Sequence, residues 1–163
     1  MTALPGLPAA LSLRRYTMED VDQVYALDQR SFSLPWPRSS FVAELGNPAS
    51  AGWVIEHTPA PSSPPVIIAM AVVWTILDEA HIATFAVDEN WRRQGVGKAL
   101  LDHIIRHASE AGVTQIFLEV RRNNLAAQHL YSGAGFEIID TRKGYYKDTH
   151  EDAFIMRLLM EQA

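Results

Sequence analysis

One stretch constrains this chain more than any other: Phe85-Ala86-Val87-Asp88-Glu89-Asn90-Trp91-Arg92-Arg93-Gln94-Gly95-Val96-Gly97-Lys98-Ala99-Leu100. An apolar run of strand character enters a basic, glycine-bearing turn, and an amphipathic helix leaves it. Past the turn, Val96, Leu100, Leu101, Ile104, Ile105 and Ala108 recur at helical period. Strand, turn and helix in that order aim several backbone N–H groups and the positive end of a helix at one place. That is a recipe for holding an anion, and a phosphate above all.

The rest of the chain reads as a mixed α/β pattern around this unit. Thr17-Met18-Glu19-Asp20 has the form of a helix start, with Thr17 as N-cap and Asp20 closing a capping box. Residues 32–37, Phe-Ser-Leu-Pro-Trp-Pro, are non-helical, because two prolines restrict themselves and the residues before them. A short helix is expected at 39–45. Strand-like runs follow at 53–56 and 66–77, parted by a loop at 58–65 too rich in proline to pair.

A further strand is expected at 81–87, and Gly112 ends the helix after the turn. Gln115 to Arg121 alternates Ile116, Leu118 and Val120 on one face with Phe117 and Glu119 on the other. A helix at 124–134, closed by Gly135, and strands at 136–146 and 153–160 complete the pattern. The middle of the chain is a βαβα unit in a single α/β domain.

Composition narrows the function classes. The 163 residues suffice for one domain with a substantial core. No apolar run approaches the ~20 residues of a membrane span. Residues 1–13 are broken by Pro5 and Pro8 and lack a basic start, so they make a poor signal peptide. The absence of cysteine excludes disulfides, thiolate metal sites and a cysteine nucleophile, which fits a cytoplasmic protein. A net charge of −5 argues against broad nucleic-acid binding, although Arg92, Arg93 and Lys98 are locally positive. His103 and His107 are four apart on a helix without the glutamate of a zinc helix between them, so no metal is expected.

Three general readings of Gly95-Val96-Gly97 compete. A phosphate loop of the Walker type places Ser or Thr after the lysine, and here Ala99 follows Lys98. A dinucleotide fold places a third glycine where Leu100 stands and turns more tightly after the strand. The third reading is an ordinary helix start without a ligand.

The wider pattern adds a resemblance. Arg92-x-x-Gly95-x-Gly97 after an apolar strand, followed by Asn124-x-x-Ala127-x-x-Leu130-Tyr131-x-x-x-Gly135-Phe136, resembles the GNAT (GCN5-related N-acetyltransferase) superfamily. Leu118-Glu119-Val120-Arg121, Tyr145-Tyr146, Glu151-Asp152-Ala153 and Phe32-x-Leu34-Pro35-Trp36 are similar to the RimI-type branch, which acetylates the N-terminal alanine of a small-subunit ribosomal protein. The likeness covers roughly residues 13–158. Pro37 after Trp36, the proline-rich loop and residues 1–11 depart from it, and these bear on substrate choice more than on cofactor choice.

The resemblance implies a central mixed, mostly antiparallel sheet of six to seven strands with about four helices, spanning 12–163 behind a disordered extension at 1–11. It implies acetyl-CoA as co-substrate, held by the backbone of Phe85, Ala86 and Val87, by Arg92, Arg93, Gln94, Gly95, Val96, Gly97 and Lys98, and by Asn124. It implies Glu119 as general base and Tyr131 as general acid. Glu79 is the rival base.

Leu34, Trp36, Tyr145 and Tyr146 are the expected walls of a slot for an extended protein N-terminus. The protein is expected to be a monomer or weak dimer, without nucleic acid or membrane. For several residues a plainer reading stays open: Glu119 as an ion-pair partner of Arg121 or Arg122, Tyr131 as a packed tyrosine with its hydroxyl in solvent, Asn124 as an N-cap. A GNAT acting on a small amine, or a non-catalytic acyl-CoA-binding protein, are the alternative functions.

Overall fold

The computed structural model describes residues 2–4, 6–8 and 10–161. Eight strands and four helices follow one another: β1 (Thr2–Ala3), β2 (Leu11–Arg15), α1 (Val21–Ser31), α2 (Arg38–Leu45), β3 (Ser50–His57), β4 (Val66–Ile76), β5 (Glu79–Val87), α3 (Val96–Glu110), β6 (Gln115–Arg121), α4 (Leu125–Gly133), β7 (Glu137–Arg142) and β8 (Ala153–Leu159). The strands are hydrogen-bonded in the order β1-β2-β3-β4-β5-β6-β8-β7. β5 and β6 run parallel, whereas β1–β2, β2–β3, β6–β8 and β7–β8 are antiparallel. The mixed sheet expected from the sequence is present, with the two-residue β1 as an added edge strand.

The chain gathers into two compact units, one formed by Met1–Val73 with Ala83–Leu100, the other by Trp74–Ile82 with Leu101–Ala163. In the first, Leu11 and Leu13 of β2, Val24 and Leu27 of α1, Phe41 of α2 and Ile55 of β3 are fully buried. The capping box read at Thr17 is formed: the Thr17 N–H donates to the Asp20 carboxylate at 2.7 Å. Arg14 forks onto the same carboxylate at 2.7 and 2.9 Å and reaches Glu56 at 2.9 Å. The Tyr16 ring lies over Gly52, where a side chain would collide with it, and the Tyr16 hydroxyl donates to the Phe41 carbonyl at 2.8 Å.

In the second unit the core comes from Leu101 and Ile104 of α3, the inward face of β6 (Ile116, Leu118, Val120), Phe136, and Met156 of β8. The alternation read at 115–121 is therefore the observed burial pattern. Gly112 and Gly135 take positive φ (82° and 103°) just past their helices, as chain-reversing glycines do.

Two boundaries differ from the sequence reading. Thr2–Ala3 pair with Ser12 and Leu13, and Leu11 opens β2, so part of the stretch expected to lack order carries strand structure. Met1, Pro5 and Ala9 lie outside the described residues. The strand expected at 136–146 ends at Arg142, because Gly144 turns the chain at φ 60°. Tyr145 and Tyr146 thereby sit in a loop, off the ladder.

Candidate functional site

In the first unit, β5 ends at Val87 and its backbone is capped locally: the Val87 carbonyl accepts from Arg92 Nε at 3.4 Å. Asp88 anchors the next turn by accepting from the Asn90 N–H at 2.9 Å and from Arg30 at 2.7 Å. Burial alone would raise the Asp88 pKa, but its hydrogen bonds to Asn90 and Arg30 outweigh that and hold it below the usual carboxylate range.

Arg93 and Gly95 both take left-handed backbone, at φ 62° and 85°. For a non-glycine residue that conformation costs roughly 1 kcal/mol or more, and such strain collects at functional turns. The Ala99 N–H donates to the Gly95 carbonyl at 3.0 Å, so Val96, Gly97 and Lys98 form the first turn of α3. Val96 is buried and anchors this end in the core, so its part toward a ligand falls to its backbone. Arg92, Arg93, Gln94 and Lys98 are exposed. Of the expected cofactor residues, Arg92 to Lys98 thus form one basic turn, whereas Asn124 belongs to the second unit. The geometry of the turn fits an anion.

The same unit holds the loop between α1 and α2. Asp28, 1% exposed, accepts from the Trp36 N–H at 2.7 Å and from the Thr84 hydroxyl at 3.3 Å. Burial pushes the Asp28 carboxyl above its usual range, against the two hydrogen bonds. The Trp36 ring stands 5.2 Å from that of Phe41, while Leu34 is exposed. Asp28 was not singled out in the sequence.

In the second unit Glu119 is half-buried on β6, and its Oε2 lies 2.5 Å from His81 Nε2. The parallel register explains the pairing. His81 stands opposite Phe117, so Glu119, two residues on along the same face of β6, is its diagonal neighbour. The ion pair anticipated between Glu119 and Arg121 or Arg122 is not the observed one. Arg121 instead reaches Asp148 and Glu151, and Arg122 reaches Asp152. Glu79 is exposed and accepts from Gln115 at 2.8 Å, as a surface carboxylate does.

Tyr131 packs beside Phe136, ring centres 5.8 Å apart, as the plainer reading had it, but it is buried, against that reading's hydroxyl in solvent. Burial, with a smaller contribution from Tyr146, pushes its pKa well above the ordinary phenol value. Tyr146 is half-buried. Burial raises its pKa to about 12, the nearby Arg121 charge opposes that, and Tyr145, Glu119 and Glu151 add to it. Tyr146 thus feels both Tyr131 and Glu119, and Glu119 in turn meets His81. Asn124 is the N-cap of α4, its side chain accepting from the Ala127 N–H at 3.2 Å, and it is exposed.

His81 is the member that sequence reasoning missed. Its one signal is alternation, since Ala80 and Ile82 on either side are buried and His81 must face the other way. Among the described residues no three His, Cys, Asp or Glu side chains gather as metal ligands, and no helix is long and apolar enough to cross a membrane.

A mixed sheet carrying a strand–basic turn–helix unit is the frame of an acyltransferase of the N-acetyltransferase class. The chain belongs to the acetyltransferase (GNAT) family, whose model matches residues 21–136. It is 35% identical over 141 residues to the [ribosomal protein bS18]-alanine N-acetyltransferase of Escherichia coli K12, covering 85% of this chain and 90% of that one. The crystal structure of the ribosomal-protein-S18-alanine N-acetyltransferase from Escherichia coli superposes with a TM-score of 0.81 at 32% identity, over 94% of this chain and 96% of the other. Arabidopsis thaliana NAA60, solved in complex with acetyl-CoA, shares the fold at a TM-score of 0.82 and 18% identity, over 92% and 98% of the two chains.

Proposed function

We propose that this protein transfers the acetyl group of acetyl-CoA to the N-terminal amine of a protein, the acceptor being the N-terminal alanine of a small-subunit ribosomal protein. The observation that carries this reading is the Glu119 carboxylate, half-buried between apolar neighbours on β6 and in contact with His81. The similarity to the bS18-alanine enzyme, 35% over 141 residues, supports the choice of acceptor.

The turn at 92–98 suits a diphosphate, because left-handed Gly95 leads into the start of α3 beside three exposed cationic side chains. Bound acetyl-CoA supplies an acetyl group activated as a thioester. The backbone of Phe85, Ala86 and Val87 at the end of β5 serves as the edge along which its extended arm is held. Glu119 takes the proton from the acceptor ammonium at Oε1 or Oε2, which leaves a nucleophilic amine. His81 orients that carboxylate through Nε2. Tyr131 donates its hydroxyl proton toward the departing sulfur, and burial keeps that proton in place through the neutral range. Tyr145 and Tyr146, edge to face at 5.1 Å, with Leu34 and Trp36, contact the acceptor chain.

The test is acetyl-CoA turnover, read as free CoA released, against a panel of peptides and small amines. Release is expected with peptides whose N-terminus is unblocked. Equal rates with blocked, lysine-bearing peptides or with polyamines overturn the N-terminal reading. Cofactor binding without turnover favours a non-catalytic acyl-CoA-binding protein. Replacing Gly97 with Trp, at the mouth of the turn, is expected to abolish CoA binding by calorimetry.

A further inference from the structure

Resting on the reading of Tyr145 and Tyr146 as acceptor contacts, we propose that Arg121 is a specificity-determining positioning residue. Its guanidinium locks the 143–152 loop into the one shape that presents those two tyrosines to the acceptor.

Arg121 is the last residue of β6, two positions beyond Glu119. Its side chain is folded over the loop. Nη2 meets both carboxylate oxygens of Asp148 at 3.2 Å, and Nη1 meets Thr149 Oγ1 at 3.2 Å and Glu151 Oε1 at 3.3 Å. The flat face of the same group lies 3.9 Å from the centre of the Tyr146 ring. One planar cation thus satisfies two carboxylates and a hydroxyl at its edge while stacking on the tyrosine, and a lysine ammonium offers neither the fork nor the plane.

The other ties of the loop run within it or to the two residues after Arg121. The loop is left-handed at Gly144 and His150. Its own backbone closes on itself, Tyr146 N–H to the Glu151 carbonyl at 3.1 Å and His150 N–H to the Tyr146 carbonyl at 2.7 Å. Its second carboxylate pair belongs to the same junction: Glu151 Oε2 accepts from the Asn123 N–H at 2.9 Å, and Asp152 meets Arg122 at 3.2 Å and the Gly144 N–H at 3.0 Å. A chain carrying the base on one strand and the acceptor contacts on a loop needs a rigid tie between them. Arg121 is that tie. Its partners are the loop's own Asp148, Thr149, Glu151 and Tyr146, so its effect is expected in how the acceptor binds.

The experiment compares Arg121→Gln, Arg121→Lys and, as a variant that leaves β6 untouched, Asp148→Asn. Each is expected to raise the acceptor KM, by about tenfold for the two arginine variants, at unchanged acetyl-CoA KM and with kcat at saturating peptide within about threefold, the loss of one stacked and forked contact. Lysine is expected not to rescue. In a Tyr146→Leu background, Arg121→Gln is expected to add less than about twofold, because the two act through one contact.

Hydrogen exchange at the Tyr146 and His150 amides, without any acceptor, is expected to quicken in Arg121→Gln. Unchanged acceptor KM, a parallel rise in acetyl-CoA KM, additivity with Tyr146→Leu or unaltered exchange overturns the proposal. A wild-type enzyme that turns over no peptide with a free N-terminus overturns the functional reading instead. The exchange measurement then still decides whether Arg121 holds the loop.

Discussion

Glu119 rises from a strand whose Ile116, Leu118 and Val120 are buried, and its polar neighbour is an imidazole 38 residues earlier in the chain. Glutamine at 119 keeps the shape and removes the base. We expect Glu119→Gln to lower kcat/KM by about 10²-fold or more at neutral pH, the usual range for a lost general base, with the CoA Kd unchanged in calorimetry. Tyr131→Phe removes only a buried hydroxyl. It is expected to lower kcat by about 10²-fold while the thermal transition, followed by circular dichroism, moves little.

The candidate base was legible because an acid in an otherwise apolar strand stands out. Its partner was not. Arg121 and Arg122 are nearer in sequence, but which cation a side chain meets depends on register. The β5–β6 register puts His81 beside Glu119, while the loop after β7 draws both arginines away. Tyr131 was legible as a tyrosine on a helix, whereas the depth of its burial is set by the elements around it.

At the scale of elements, the prolines at 35 and 37 announced that the α1–α2 connection is not helical. They gave no sign of what holds it. Asp28 at the end of α1 does so, through the Trp36 N–H and the Thr84 hydroxyl. Its folded-state pKa is raised, chiefly by burial, so its contribution to stability is fullest below the unfolded value near ~4 and declines as pH rises through the folded value. A carboxamide in its place does not titrate. The melting temperature of Asp28→Asn relative to wild type is therefore expected to improve as pH rises above about 4, by differential scanning calorimetry. A difference that stays flat with pH would show that burial does not shift the Asp28 carboxyl. The overlong strand expected at 136–146 has the opposite lesson: alternation continues on paper through Lys143-Gly144, but a glycine in left-handed backbone ends the ladder.

For the molecule as a whole, strand and helix order were readable from periodicity, and the Arg92-x-x-Gly95-x-Gly97 turn fell where the sequence put it. The long-range parts were not readable: the β8-β7 exchange at the sheet end, the pairing of Thr2–Ala3, and the Arg14–Asp20–Glu56 cluster. That cluster governs acid stability. Burial pulls the Asp20 pKa up, but the Arg14 and Thr17 hydrogen bonds outweigh it and hold the pKa below its reference. A depressed carboxylate contributes stability above its unfolded pKa of ~3.9 and loses it as pH falls through the folded value. Wild type is expected to lose its margin over Asp20→Asn as pH falls below about 4, as followed by urea unfolding.

β7 closes one end of the strand order, with all six residues exposed, Ile138 and Ile139 among them, and its ladder to β8 slips between Ile138 and Asp140. An unpaired rim bearing two isoleucines invites a stranger's backbone to add on. The slip breaks the even spacing of donors and acceptors that such a template requires, and Glu137, Asp140 and Arg142 stud the same rim with charge. The irregularity thus makes that rim a poor template for the backbone of a second copy.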